Sequence, residues 1–476
     1  HNGVTSRTVL NWRSAFACAS IKTEFWFYIV TGKGCKDLTK LEKGILELLQ
    51  KHMAKIGFFT LLFFSMLLRW VLLPYGSNDF LDFLRPWYEE IRASGGMTAL
   101  KNEIGDYNYL YRFLLAVFSY IPNPMIAVKL LSLLFDYIGA AGGAFLVWTL
   151  LADSPSVPLS SRRFYAGATA IALLFCPTVL LNAAVWAQCD FMYVSCLLFC
   201  LAFFWRERYF SAFIWYGLAF SFKLQAVFLL PVLFLLYIHR KNFSVLYFLL
   251  IPGTLLATGF PVILARWTVV GPAALLEPFQ VYFSQTGTYR ILTLNMPNVY
   301  SFLSGMEYQI NIHIADIYNY CRLAGILFTL ALLGGAVLFF LVKNWDLDAK
   351  GYLLFSIFSV YTCIMFLPSM HERYGFCATI LLLLYYILYR ELGKWILTYL
   401  FVECSVYVAV LTELSLLPGF NILAYINLAV YARFAIEMYR HFSSTTFQKG
   451  KALYKSMVGS HQHPSGRMKQ YGSHSK

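Results

Sequence analysis

Residues 53–70 read MAKIGFFTLLFFSMLLRW, and the apolar run they open, 56–74, carries one charge, Arg69. About twenty such residues suffice to cross the hydrocarbon core of a bilayer. Comparable runs recur along most of the 476 residues, of which 59% are hydrophobic and 13% charged, at a mean hydropathy of +0.60. An ordinary soluble domain carries about a quarter charged residues. A membrane β-barrel would alternate in short segments, whereas these runs are continuous. The pattern therefore predicts an all-α polytopic membrane protein.

Runs near 56–74, 124–152, 164–183, 190–205, 208–222, 225–238, 243–265, 322–342, 351–367, 375–390, 395–416 and 419–437 predict a bundle of about twelve transmembrane helices. The run at 208–222 is short, and 109–121 is a candidate for partial insertion. Positive charge marks the cytoplasmic side. Lys51 and Lys55, Arg162 and Arg163, Arg206 and Arg208, His239 to Lys241, Lys343 and Lys350, Arg390 and Lys394, and Arg440 onward all fall on one side of the twelve-span arrangement. Both termini are then cytoplasmic. The long connections 75–123 and 266–321 lie on the outer face, where long ordered loops tend to carry function.

The net charge of +14 fits basic loops against anionic lipid. No basic-aromatic module is visible, so nucleic acid is not an expected partner. Of the ten cysteines, Cys176, Cys196, Cys200, Cys363, Cys377 and Cys404 sit in apolar runs, without CxxC or ligand spacing, and read as small buried residues. Met53 reads as an alternative start. This gives a peripheral extension at 1–52, a transmembrane domain at 53–440 and a polar, disordered cytoplasmic tail at 441–476.

The first run ends in YGSNDFLDFLRPWYEE, residues 75–90. Asp79 and Asp82, three apart, would share one face of a helix lying on the membrane surface, with Phe80, Phe83, Leu84 and Trp87 as its apolar side. The plainer reading is two solvated acids at a helix start, where the dipole favours carboxylates. Asp106 follows beside Asn108. Gln188 and Asp190 in VWAQCD, Lys223 and Gln225 in SFKLQ, and His371, Glu372 and Arg373 in MHERYGF stand at other span ends. Ionisable groups at such depths cost roughly 2.5–3.5 kcal/mol each on insertion scales and are functional candidates, with snorkelling to the headgroups as the alternative. Asp136, seven residues after Lys129 within a span, reads as a structural polar contact. Arg290 suits phosphate by its forked geometry; Asn295 and Asn298 suit sugar hydroxyls or turns. There is no P-loop, GxSxG, HExxH or dinucleotide fingerprint.

In that order, SNDFLDFLRPWYEEI, IGDYNYLY, VWAQCD, SFKLQAVFLLP, LTLNMPNVY and HERYGF resemble the motifs of GT-C superfamily glycosyltransferases, in a bacterial branch related to the GPI-anchor mannosyltransferases. The resemblance runs from about 56 to about 440. It implies a GT-C-like bundle with juxtamembrane helices in the first outer loop. It also implies inverting transfer of mannose or another hexose from a polyprenyl-phosphate carrier to an acceptor hydroxyl, outside a bacterial cytoplasmic membrane. The acceptor is a glycan, glycolipid or protein. The resemblance makes Asp79 the general base, with Asp82 and Asp106 as second choices. His371 and Arg373, assisted by Lys223 and Arg290, become cations for the donor phosphate. Gln188, Asp190, Gln225, Asn295 and Glu372 would bind sugar or acceptor. The family motif often has Gly before the Gln of VWAQCD; here Ala187 adds bulk. No metal or other cofactor is expected to be required, a divalent ion being the alternative. The competing readings are a polysaccharide polymerase or ligase using lipid-diphosphate glycans, and a lipid-linked glycan flippase or transporter.

Overall fold

The computed structural model describes residues 39–288, 290–303, 314–414 and 417–460. Contacts divide the chain into two units, 1–63 and 64–476. The described part of the first is helical. The second is helical apart from connections and two short strands, Thr293–Leu294 and Met370–His371.

Among the described residues, seven helices are long and apolar enough to cross a membrane: Lys40–Leu72, Pro124–Ala152, Val245–Leu275, Ile317–Val342, Ala349–Phe366, Gly393–Leu411 and Asn421–Ser444. The pair Leu159–Leu174 and Pro177–Val185, bent by 52°, makes an eighth if it is one broken span. Asp190–Trp205, Tyr209–Phe222 and Leu224–Arg240 are apolar but shorter. All twelve runs read from the sequence are helical, several of them over fewer residues than an unaided crossing needs.

Two expected boundaries move. The first helix begins at Lys40 rather than near 53, because Thr39 and Glu42 form a reciprocal cap: Thr39 N donates to Glu42 Oε2 at 2.7 Å and Glu42 N to Thr39 Oγ1 at 3.3 Å. The last helix, Leu417–Ser460, runs into the tail expected to be disordered, where Lys449, Lys451, Ala452 and Leu453 are good helix formers. Residues 1–38 and 461–476 lie outside the described residues.

The helix Pro124–Ala152, α1 here, is the central post. Asn123 caps it, accepting from Met125 N at 2.9 Å and Ile126 N at 3.2 Å, and Pro124 takes the first position, where its missing N–H costs nothing. It packs against Leu159–Leu174 (α2) and Asp190–Trp205 (α3). A Cβ on Gly139 of α1 would lie 2.4 Å from the Phe191 ring of α3. The absent side chain therefore lets these helices approach closely, as small residues do in membranes, and it fixes the start of α3, where Asp190 stands.

Two π-helical turns carry the polar rim. Phe80–Leu84 follows Asp79, and Arg85 N reaches back five residues to Phe80 O. Pro86 explains the widening: it offers no N–H to residue 82, and its ring crowds that carbonyl. Leu181–Val185 precedes Trp186, whose N–H bonds Leu181 O at 2.8 Å.

Candidate functional site

Asp79 is the junction of the site. Its Oδ2 accepts from Trp186 Nε1 at 3.0 Å, Gln188 Nε2 at 2.9 Å and Arg373 Nη1 at 2.5 Å. Its Oδ1 has no hydrogen-bond partner among the described residues. The Asp79 side chain keeps 31% of its accessible surface, against 14% for Arg373. A carboxylate thus held by one oxygen presents the other in a fixed direction.

The backbone on both sides is pinned. Ser77 Oγ donates to Trp186 O at 3.0 Å and accepts from Phe80 N at 3.1 Å, tying the two π-helical turns together. Lys129 of α1, fully buried, gives its ammonium protons to three carbonyls: Leu73 O at 2.9 Å, Ala184 O at 2.6 Å and Tyr75 O. It clamps the segment leading to Asp79 against the one leading to Gln188. Lys129 therefore does not serve Asp136, which pairs with Arg69 instead at 2.8 Å.

Behind Gln188 the chain turns sharply. Gln188 N bonds Asn182 O at 2.8 Å, and Ala187 takes a left-handed φ of 64°. That backbone, rather than the bulk of the methyl, is what a glycine would relieve at this position. Gln188 Oε1 accepts from Tyr107 OH at 3.1 Å. Asp190 is fully buried; its Oδ1 accepts from Lys223 Nζ at 2.5 Å and its Oδ2 from Asn182 Nδ2 at 2.9 Å. Lys223 lies 5.6 Å from the Tyr107 ring centre.

The loop bearing His371 to Gly375 is fastened by the two strands, which pair in parallel with Thr293 opposite Met370 and Leu294 opposite His371. Asn295, at φ 59°, bridges back to His371, and Ser369, at φ 58°, donates its N–H to Leu292 O at 2.8 Å. Asn298 is a turn residue: its Oδ1 accepts from Tyr300 N at 3.0 Å. Strain of this kind gathers at functional sites. Arg373 lies 5.8 Å from the Trp186 ring centre. A Cβ on Gly375 would stand 2.7 Å from Tyr399 OH, so the turn after Arg373 has room only for glycine unless Tyr399 moves.

Charges here are set by burial. His371 is held down to about 3 by desolvation, with Arg373 and Lys223 adding to the effect. Burial thus favours its neutral imidazole over the cation expected from the sequence. Glu372 is pushed up to about 7 by burial, Arg373 opposing at 3.8 Å. Asp106 is raised by desolvation, with Arg373 and Lys223 opposing and Asp79 reinforcing. Its segment is held by Gln285 Nε2 on Asp106 O at 2.7 Å, and by Arg266, which bridges Glu103 at 2.5 Å and Glu277 at 2.6 Å.

The structure thus brings together Asp79, Gln188, Arg373, Glu372, His371 and Asn295, with the Lys223–Asp190 pair directly behind them and Asp106 within their field. Asp82 and Arg290 are exposed instead, and neither bonds to this group. The π-helical turn spoils the three-residue spacing that would have put Asp82 beside Asp79. Gln225, half-buried, makes no hydrogen bond among the described residues. Trp186, Tyr107, Asn182, Ser77 and Lys129 were not predicted. Trp186 and Tyr107 stand in VWAQCD and IGDYNYLY without a role of their own, Lys129 was set only against Asp136, and Asn182 and Ser77 carry no signal without the fold. Glu403, buried in a helix, accepts from Thr379 Oγ1 and was also missed.

The chain matches neither a protein-family model nor a curated protein. What the site can do is carried by its geometry: an oriented carboxylate oxygen beside a guanidinium, where several apolar helices end.

Proposed function

We propose that the protein is an integral-membrane glycosyltransferase of the GT-C kind, moving a hexose from a polyprenyl-phosphate carrier to an acceptor hydroxyl with inversion. The supporting observation is Asp79, fixed through Oδ2 and open at Oδ1. In this reading Oδ1 takes the proton of the acceptor hydroxyl as that oxygen bonds to the anomeric carbon. The bond from carbon to phosphate oxygen breaks, and its electron pair leaves with the lipid phosphate. Arg373 faces the charge that develops there, as preorganised cations do in phosphate-releasing sites. His371, neutral, donates or accepts a hydrogen bond rather than supplying charge. Lys223 is committed to Asp190 and acts from behind. Gln188, Glu372 and Asn295 are placed to meet sugar or acceptor hydroxyls. Among the described residues no cluster of three or more His, Cys, Asp or Glu side chains suits a metal ion, and the reading uses none.

Twelve crossings complete the proposal. The end of Lys40–Leu72, the turn before α3, the end of Tyr209–Phe222 and the connection from Ala349–Phe366 to Phe376–Tyr389 meet around Asp79. In the twelve-span arrangement they lie outside, with both termini in the cytoplasm and 80–93 as the juxtamembrane element. A flippase would need a charged cavity serving both faces in turn, whereas these groups share one rim.

The test is purified protein incubated with a panel of polyprenyl-phosphate hexoses and alcohol acceptors, following released lipid phosphate. Release that requires both a sugar donor and Asp79 is expected. Release only from oligosaccharide diphosphates would favour the polymerase or ligase, and no release with any donor would end the proposal.

A further inference from the structure

We infer that Arg373 masks the base: it holds Asp79 out of reaction until the phosphate of a lipid-linked donor draws its guanidinium away, so that donor binding must precede proton transfer. This rests on the reading above and adds its order.

Three features converge on Arg373. First, of the three donors on Asp79 Oδ2 it alone is charged. While it stays at 2.5 Å, a proton arriving at the carboxylate must work against a full positive charge beside it. Second, the guanidinium is under-used. Among the described residues only Nη1 makes a hydrogen bond, Nε is buried without a partner, and the nearest other acid, Glu372, is 3.8 Å away. A planar cation with unspent donors is suited to a second, forked anion. It lies 5.8 Å from the Trp186 ring centre, a flat surface along which it can shift without losing contact. Third, the other cations cannot answer first. Lys223 is locked to Asp190 at 2.5 Å with 6% of its side chain accessible, and His371 is neutral.

Once Arg373 turns to phosphate, Trp186 and Gln188 still hold the carboxylate plane, so orientation survives while the opposing charge departs. One guanidinium then serves two steps in sequence. It leaves the base that must take a proton, and it reaches the phosphate oxygen that must take an electron pair. A donor-free enzyme is poorly able to activate acceptor or water.

Carbodiimide coupling of an amine to Asp79, followed by peptide mass spectrometry on the full chain in detergent, reads the masking directly and needs no sugar transfer. The probes are citronellyl phosphate, citronellol and inorganic phosphate, with thermal shift reporting binding. Citronellyl phosphate should bind and raise the Asp79 coupling rate several-fold; citronellol should not. A rise with inorganic phosphate alone would keep the mask and make free phosphate its trigger. Arg373→Gln should couple fast without any probe and show no phosphate response, and Arg373→Lys should fall between. Citronellyl phosphate that binds while Asp79 coupling stays constant or falls overturns the mask but leaves the transferase reading standing. Failure of every phosphate to bind overturns both. Should Arg373→Gln not fold, the wild-type comparison decides alone.

Discussion

Arg69 and Arg373 each hold an aspartate, and the two pairs do opposite things. Arg69–Asp136 joins the first long helix to α1 at 2.8 Å, with 2% and 1% of the side chains accessible. Arg373–Asp79 joins the rim at 2.5 Å, with 14% and 31% accessible. In the enclosed pair Arg69 Nη2 and Asp136 Oδ1 are buried without partners, which costs stability and offers nothing to a ligand. At the rim the unpartnered oxygen, Asp79 Oδ1, belongs to a side chain that keeps 31% of its surface, so it costs little. The same two side-chain types make an enclosed staple in one place and a partly open pair in the other, and accessibility separates them.

The largest effect should come from exchanging a single atom at the open pair. Asp79→Asn keeps the shape but removes the base, and lipid-phosphate release should fall by about 10²–10⁴-fold, the usual contribution of a general base. The melting temperature should move little. A variant with full turnover would take Asp79 out of the chemistry. At the closed pair the outcome reverses. Arg69→Met leaves the buried Asp136 carboxyl without its partner, and should lower stability by about 1–3 kcal/mol, read as loss of folded protein on detergent titration. The double variant Arg69→Met with Asp136→Leu should recover most of that, since an apolar pair of similar volume often matches a buried ion pair. Each of these variants should retain full turnover per folded molecule. If the double variant is no better than the single, Arg69 has a role beyond neutralising Asp136.

The sequence distinguished these pairs only partly. Apolar runs located the long membrane helices, because a span must satisfy its backbone internally and so leaves an uninterrupted signature, but no such run covers Glu277–Thr288. Asp79, Gln188 and Arg373 stood out because polar residues at span ends are few. Asp82, a second choice beside the plainer reading of a solvated acid, is exposed, and a π-helical turn beside Pro86 changes its spacing from Asp79. His371 was read as a cation because its net surroundings, Arg373, Lys223 and desolvation together, exist only after folding. Lys129 was read against Asp136, its neighbour on the helix, whereas its partners are carbonyls from residues 73, 75 and 184. Contacts made by backbone atoms leave no trace in side-chain identity.

Acidity offers a finer comparison inside the rim, between His371 and Glu372. His371 falls from 6.5 to about 3 on folding, so the unfolded chain binds the extra proton, and stability contributed here is full above 6.5 and lost as pH drops toward 3. Glu372 rises from 4.5 to about 7, so the folded chain holds the extra proton, and its contribution is full below 4.5 and lost as pH climbs toward 7. Between 4.5 and 6.5 the two slopes, each at most about 1.4 kcal/mol per pH unit, oppose one another, and the joint contribution of this pair should be nearly flat in that window, so each variant is read against wild type. His371→Gln should uncover a stability that falls with rising pH, and Glu372→Gln one that rises. Thermal melts across that window check the signs; slopes of the same sign in both variants would contradict the assignment.

The smallest effect belongs to Ala187, where three contributions nearly cancel. Its left-handed backbone at φ 64° costs an L-residue about 1–2 kcal/mol, which Ala187→Gly would remove. The variant also gives up a fully buried methyl, worth about 0.8 kcal/mol, and loosens the unfolded chain by about 0.4–1 kcal/mol. The net change should lie within about 0.8 kcal/mol of zero. Because Asp79 is held by the residues on either side, Trp186 and Gln188, such a small net change need not leave turnover untouched. If Ala187→Gly leaves the melting temperature unchanged but slows lipid-phosphate release, the methyl's function is to stiffen the turn that aims Gln188. If both stay constant, Ser77, Lys129 and Asn182 suffice to hold that turn.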